Sequence, residues 1–250
     1  MNQGLFEIIE NQLLVKNVHR LRLAGDISAI ETPGQFVQIQ LDGHFLRRPF
    51  SVCDAENGIL TVLYKSAGTG TNELAEYETG KKLKIFTGLG NGFSQEEAGE
   101  SPLLVGGGIG MTPLYFLAKR LKEKEPGRNV RVILGFRSAD EIFYSEEFEK
   151  LGCSVMLTAE TGSTPSMKTV RGLVTDALPE NYSFVYSCGP LPMMKSLAQK
   201  IKTSGEFSLE ARMGCGFGAC MGCSAETAEG PRRICRDGPI FRKEVLLWED

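Results

Sequence analysis

The chain has 250 residues, 42% of them hydrophobic, with 28 basic against 31 acidic side chains and a net charge of -3 at pH 7. That length accommodates two modest domains and an appendage, and the weak negative charge leaves no basic footprint for nucleic acid or an anionic membrane surface. No basic stretch followed by an apolar core opens the chain, and the longest apolar run, 102–118, is broken by Gly106, Gly107, Gly108, Gly110 and Pro113, so a cytoplasmic protein is expected.

Residues 1–98 carry short runs of alternating apolar and polar positions, such as FVQIQL at 36–41 and ILTVLYK at 59–65, with Gly, Asp and Asn between them. This rhythm predicts an antiparallel barrel. Within it RRPFSV at 47–52 opens a strand, and YKSAGTGTNEL at 64–74 follows another with Gly68, Thr69, Gly70 and Thr71. Each alone reads as an ordinary turn. Together they offer an arginine for a pyrophosphate, a hydroxyl for a polar ring edge, and backbone donors with threonine hydroxyls for phosphate oxygens.

From Ser101 the rhythm changes. PLLVGGG, VRVILGF, SVMLTAE and FVYSCGP read as strands, and TPLYFLAKRLKEK, EIFYSEEFEKLG, VRGLVTDAL and LPMMKSLAQKIKTSG read as helical stretches between them. Such alternation predicts a parallel sheet with crossover helices. FSLEA at 207–211 is a candidate last strand that leads into a cysteine-rich segment. The expected fold class is therefore β plus α/β, with an antiparallel β-barrel over 1–98, a parallel-sheet α/β domain over 99–208 and a small C-terminal segment over 209–250.

In LLVGGGIGMTPLYFLAKRL the glycines fall after an apolar strand and just before a helix, where phosphates meet unpaired backbone N–H groups. The pattern is not G-x-G-x-x-G, so a Rossmann dehydrogenase is not the direct match, and Pro113 reads as an early helical residue. SCGP at 187–190 closes a later strand and starts another helix, so Cys188 and Gly189 are expected at the same carboxyl edge of the sheet. Tight packing alone would also explain either turn.

Seven cysteines, an odd number with four clustered, suit metal ligation better than a disulfide framework in a reducing compartment. Cys215, Cys220, Cys223 and Cys235 are spaced C-x4-C-x2-C-x11-C, and the first three match the plant-type spacing for a [2Fe-2S] cluster. Gly214, Gly216, Gly218 and Gly222 favour a cluster over zinc, because backbone N–H groups must approach its sulfurs closely. A zinc ribbon more often shows two separated C-x2-C pairs. Cys53 and Cys153 read as small buried hydrophobes. His19 and His44, the only histidines, lie far from these motifs in sequence and read as structural or surface residues.

With Arg48-Pro49-Phe50-Ser51, GGGIGMTP, SCGP and the terminal EARMGCGFGACMGC assembled, the chain resembles the ferredoxin reductase superfamily, and within it the electron transfer subunits of class 1B dihydroorotate dehydrogenases. The resemblance implies FAD, one [2Fe-2S] cluster, oxidation of NADH, and electron delivery to a separate FMN-containing catalytic subunit that makes orotate, in a heterotetramer. It implies that Arg48 neutralises the FAD pyrophosphate and that Pro49, Phe50 and Ser51 line the isoalloxazine. Leu63, Tyr64 and Lys65 would flank the flavin, and Gly70 and Thr71 its phosphates. Gly107, Gly108, Gly110, Thr112 and Cys188 match nicotinamide-domain motifs, Phe136 and Arg137 would meet the adenosine half of NADH, and Ser51 and Cys188 are the catalytic candidates. Cys215, Cys220, Cys223 and Cys235 would hold the metal. Trp248 is read as packing or a partner contact. A flavin and cluster subunit of a ferredoxin:NADP or sulfide oxidoreductase shares these motifs, and a non-enzymatic redox sensor is a third reading. The acidic ADEIFYSEE favours NADH over NADPH, while Arg137 keeps NADPH open.

Overall fold

A computed structural model describes residues 1–162 and 169–248. The N-terminal strands are β1 (Asn2–Val15), β2 (Val18–Ala24), β3 (Phe36–Ile39), β4 (Arg48–Ser51), β5 (Asp54–Glu56), β6 (Ile59–Lys65) and β7 (Lys82–Leu89), with a short helix α1 (Thr69–Ala75) before β7. They form one antiparallel sheet, ordered β4-β3-β7-β1-β2-β6-β5, that curls as a half-barrel. Alternation does the work here: Leu83 and Ile85 of β7, Phe6 and Ile8 of β1, and Leu21 and Leu23 of β2 all enter one core, while residues between them face away.

The second unit begins with β8 (Leu103–Gly107), a 3-10 turn over Gly108–Met111, and α2 (Thr112–Lys124). Pro113 sits in the first turn of α2, where its missing N–H costs nothing, and Lys122 and Lys124 sit at the negative end. There follow β9 (Arg131–Ser138), α3 (Ser145–Lys150), β10 (Ser154–Thr161), β11 (Thr169–Arg171), β12 (Val185–Cys188), α4 (Leu191–Lys200) and β13 (Gly205–Ser208). These strands pair in parallel in the order β11-β10-β9-β8-β12-β13. The chain winds outward from β8 to β11 on one side, then returns to lay β12 on the other. The direction of winding therefore reverses between β8 and β12, which makes their carboxyl ends, Gly107 and Cys188, the natural lips of a ligand crevice.

Two sequence expectations change. VRGLVTDAL forms no α-helix: β11 occupies its start, Gly172 turns the chain at φ +141°, and Val174–Asp176 make a single 3-10 turn held by Asp176 Oδ2 accepting from the Leu173 N–H at 2.8 Å. The sheet is also not purely parallel. After β14 (Ser224–Ala225), β15 (Arg232–Arg233) and α5 (Ile234–Asp237), the cysteine segment returns as β16 (Ile240–Arg242) and pairs antiparallel with β13. Asn91, just beyond β7, accepts from the Ile240 N–H at 2.9 Å and donates to its carbonyl at 2.8 Å, so a side chain ties the half-barrel to this edge strand. Lys119 of α2 is a second tie, reaching Asp54 and Glu56 of β5 at 2.9 and 2.7 Å. Among the described residues no helix is long and apolar enough to cross a membrane.

Candidate functional site

Between the half-barrel and the parallel sheet lies a crevice of about 270 Å³. Pro49, Phe50 and Ser51 line it from β4, and Leu63, Tyr64 and Lys65 from β6. Ile109 and Thr112 face them from the sheet domain, and Glu210 and Met213 come from the cysteine segment. Phe50 meets Tyr64 edge to face at 5.8 Å, His19 stacks against Tyr64 at 5.1 Å, and the Tyr64 hydroxyl donates to Asn11 Oδ1 at 2.9 Å. The result is a rigid, largely apolar slot, and burial pushes the Tyr64 phenol well above its ordinary range.

Arg48 opens β4, one residue before Pro49, and is not itself among the crevice lining. Its Nη1 donates to the Leu46 carbonyl at 2.6 Å and its Nη2 to Nδ1 of His44 at 3.0 Å, and the imidazole Nε2 meets Glu73 Oε2 at 3.0 Å. The guanidinium lies over Gly70, where a Cβ would come within 3.0 Å of Nε. Thr71, by contrast, is used locally: its Oγ1 accepts from the N–H groups of Ala67 and Gly68 at 3.0 and 3.1 Å.

A second cavity of about 700 Å³ opens over the carboxyl ends of β8, β9 and β12. Gly107, Gly108 and Gly110 line it, as do Phe136 and Arg137. Phe136 is buried against Phe143, with Arg137 exposed beside it. Thr112 turns inward, its Oγ1 donating to the Ile109 carbonyl at 2.6 Å. The glycines differ in what they do. A Cβ on Gly110 would lie 2.6 Å from the Gly189 Cα and 2.7 Å from the Cys188 carbonyl, so the two loops touch backbone to backbone. Gly108 has open space around it and a φ of +50°. Cys188 is buried and its thiol is pushed up to about 12 by that burial, so it stays protonated at neutral pH.

Lys65, Ile109 and Glu210 line both cavities. Burial raises the Glu210 carboxyl above its ordinary value, and its charge in turn helps to push the Cys188 thiol up. Neither Glu210 nor His44 is among the residues expected from sequence. Glu210 lies in the FSLEA run read as a strand, and β13 in fact stops at Ser208, which leaves the carboxylate at the strand's carboxyl edge.

The four clustered cysteines come in twos. The Cys220 N–H donates to the Cys215 sulfur, and the Cys235 N–H donates to the Cys223 sulfur. Among the described residues no three Cys, His, Asp or Glu side chains converge on a single metal position. A [2Fe-2S] cluster takes two thiolates on each of its two irons, and these four cysteines supply that number. The loop supplies N–H groups to sulfur: Ala219 and Cys220 donate to Cys215 Sγ at 3.2 and 3.4 Å, and Cys235 donates to Cys223 Sγ at 3.4 Å. Burial pushes the Cys215 thiol up, but the N–H groups of Cys220, Phe217 and Ala219 and the Cys220 thiol outweigh it and bring it down to about 6. Gly216 and Gly218 take φ of +80° and +90°, which bends the loop around these sulfurs. Trp248 packs edge to face on Phe207 at 5.1 Å and donates to the Lys243 carbonyl, away from the crevice lining.

Comparison with known proteins agrees with this arrangement. Residues 210–247 match the family model of the iron-sulfur cluster binding domain of dihydroorotate dehydrogenase B, and 104–199 match the oxidoreductase NAD-binding domain. Among solved structures, that of an NADH-dependent reduced ferredoxin-NADP oxidoreductase is 31% identical with a TM-score of 0.86, covering 97% of this chain and 90% of that one. A ferredoxin reductase of carbazole 1,9a-dioxygenase, 22% identical with a TM-score of 0.65 over 79% of this chain and 64% of that one, shares the fold. Curated relatives from Bacillus cereus strain Q1 and Bacillus anthracis strain CDC 684 are each 39% identical over 96% of this chain and 97% of their own length, and both are dihydroorotate dehydrogenase B (NAD(+)) electron transfer subunits. Similarity of that degree runs along nearly the whole of both chains, and this chain belongs to the family of dihydroorotate dehydrogenase B electron transfer subunits.

Proposed function

We propose that this chain oxidises NADH at FAD and passes the electrons through a [2Fe-2S] cluster to the FMN-containing catalytic subunit of a dihydroorotate dehydrogenase in the cytoplasm. The observation that carries the reading is contiguity: the two cavities share Lys65, Ile109 and Glu210, and Met213 of the cysteine segment lines the first. Bound FAD supplies a two-electron acceptor that can release electrons singly, and the cluster a one-electron carrier.

The chain's own residues bind and orient. Arg48 would meet the pyrophosphate, with Gly70 leaving room beside it and Thr71 shaping the turn. Pro49, Phe50, Leu63 and Tyr64 would form the walls of the flavin slot, with Ser51 and Lys65 offering polar contacts at its rim. Gly107, Gly108 and Gly110 would let dinucleotide phosphates approach the backbone, Thr112 would fix the turn, and Phe136 and Arg137 would receive the adenosine half. Cys188, protonated and buried at the end of β12, lines neither cavity, and would stand one residue behind Gly189 at the nicotinamide site. Cys215 with Cys220 would hold one iron and Cys223 with Cys235 the other. On this reading 1–98, 99–208 and 209–250 are the flavin, nicotinamide and cluster units. A second reading, the flavin and cluster subunit of a ferredoxin:NADP oxidoreductase, draws on the 31% identity to that structure.

The test is a Cys223→Ser chain that retains FAD and partner association. It should keep NADH-to-dye turnover and lose NADH-driven orotate reduction with the FMN subunit, because a hydroxyl is a poor ligand for this soft centre. Normal orotate reduction without a cluster would remove the proposed path, and co-purification with a ferredoxin-linked partner would favour the second reading.

A further inference from the structure

β3 is buried on both faces. Val37 and Ile39 enter the half-barrel core, so by the two-residue alternation Phe36 and Gln38 face the other way. The cysteine segment covers that outer face. Phe36 shares an apolar cluster with Cys223 and Cys235, and the Gln38 carboxamide lies against Gly216, the residue after Cys215. A Cβ on Gly216 would fall 2.5 Å from both Cδ and Nε2 of Gln38 and 2.7 Å from Oε1, so the amide lies flat over that Cα.

Gln38 is fully buried, yet neither its Nε2 nor its Oε1 has a hydrogen-bond partner among the described residues. A buried amide without partners carries its full desolvation cost, and such a group in a native protein calls for an explanation. Its surroundings give no reason for polarity: Phe36 shares its face, and its cross-strand partners are Pro49 of β4 and Phe86 of β7. A leucine or methionine would fill the space at less cost. On the outer face Gln38 meets the loop that wraps the sulfurs.

We propose that Gln38 is the half-barrel's hydrogen-bond donor to the iron-sulfur cluster, its Nε2–H bonding to sulfur beside Cys215. The inference rests on the reading that the four cysteines hold a two-iron cluster. Reduction adds a negative charge to the cluster, and a donor to sulfur stabilises the more negative form, so Gln38 raises its reduction potential. Because β3 pairs with β4, the same residue fixes the cluster loop relative to the flavin wall.

The experiment compares the full chain, loaded with FAD and cluster, with Gln38→Met and Gln38→Leu. With iron, sulfide and FAD contents equal to wild type, the ratio of reduced to oxidised cluster at a fixed potential should fall roughly threefold to tenfold, tenfold being about 59 mV for one electron, while the FAD potential stays put. A cluster potential unchanged in both variants would overturn the inference. Should the variants lose the cluster, pulsed EPR on reduced wild-type protein with 15N in its glutamine side chains decides the matter. A hyperfine coupling to a glutamine nitrogen supports the bond, and its absence overturns it. Zinc without acid-labile sulfide would instead overturn the cluster reading itself, and this inference with it.

Discussion

Nη2 of Arg48 lies 3.0 Å from Nδ1 of His44. A guanidinium can only donate, so Nδ1 accepts, and the proton of a neutral imidazole sits on Nε2, where it is given to Glu73. His44, itself held by Glu73, thus helps to fix the arginine that overlies Gly70, one residue before the slot-lining Pro49.

Arg48→Ala should therefore weaken FAD binding by about 1.5 to 3 kcal/mol, roughly 10- to 150-fold in Kd, while iron content is unchanged. His44→Ala, which only frees the arginine to move, should cost about 0.5 to 1.5 kcal/mol, roughly 2- to 10-fold. Fluorescence titration of the flavin-free chain with FAD reads both. Equal losses in the two variants would contradict an indirect role for His44.

The two loop glycines should separate stability from binding. Gly110→Ala drives a Cβ into the Gly189 backbone at 2.6 Å and should destabilise by about 1 to 3 kcal/mol, read as a lower melting temperature. Gly108→Val meets no neighbour but must hold a positive φ. It should fold with a normal flavin spectrum and weaker NADH binding. Unaltered nicotinamide affinity would make that loop purely structural.

Glu210 predicts a pH dependence of known sign. Its carboxyl is raised above the ordinary value of 4.5 by burial, and bound flavin would bury it further. Below that ordinary value folded and unfolded chains both hold the proton, and its contribution is fully present. As pH climbs through the folded value the unfolded chain gains more from ionising, and stability is lost. Glu210→Gln should thus melt at the same temperature as wild type near pH 4 and above it at pH 8. A gap that widens toward acid would reverse the assignment.

The metal content should be about two irons and two acid-labile sulfides per chain, as a [2Fe-2S] centre requires. Chelation that strips iron should leave FAD reducible by NADH, monitored by flavin bleaching, because β4 and β6 wall the flavin slot and none of the four clustered cysteines lines it. Loss of flavin reduction on iron removal, with FAD still bound, would contradict a separate entry site.

Sequence alone determined what depends on neighbours along the chain. The short apolar run ILTVLYK set a strand, one the fold buries on both faces, TPLYFLAKRLKEK set a helix, the cysteine spacing pointed to a cluster, and two glycine turns were placed at strand ends. These signals are local because backbone periodicity, capping and loop ligation are local. Tertiary structure decided which distant residues meet. VRGLVTDAL carries helical spacing, yet its start pairs with β10 and Gly172 breaks its continuation. IFR at 240–242 is too short to announce itself, and becomes a strand only because β13 offers a free edge. Gln38, His44 and Glu210 are single polar residues with no motif around them. Their significance arises from contact with Gly216, with Arg48 and with both cavities, and such contacts exist only once burial has brought segments far apart in the chain together.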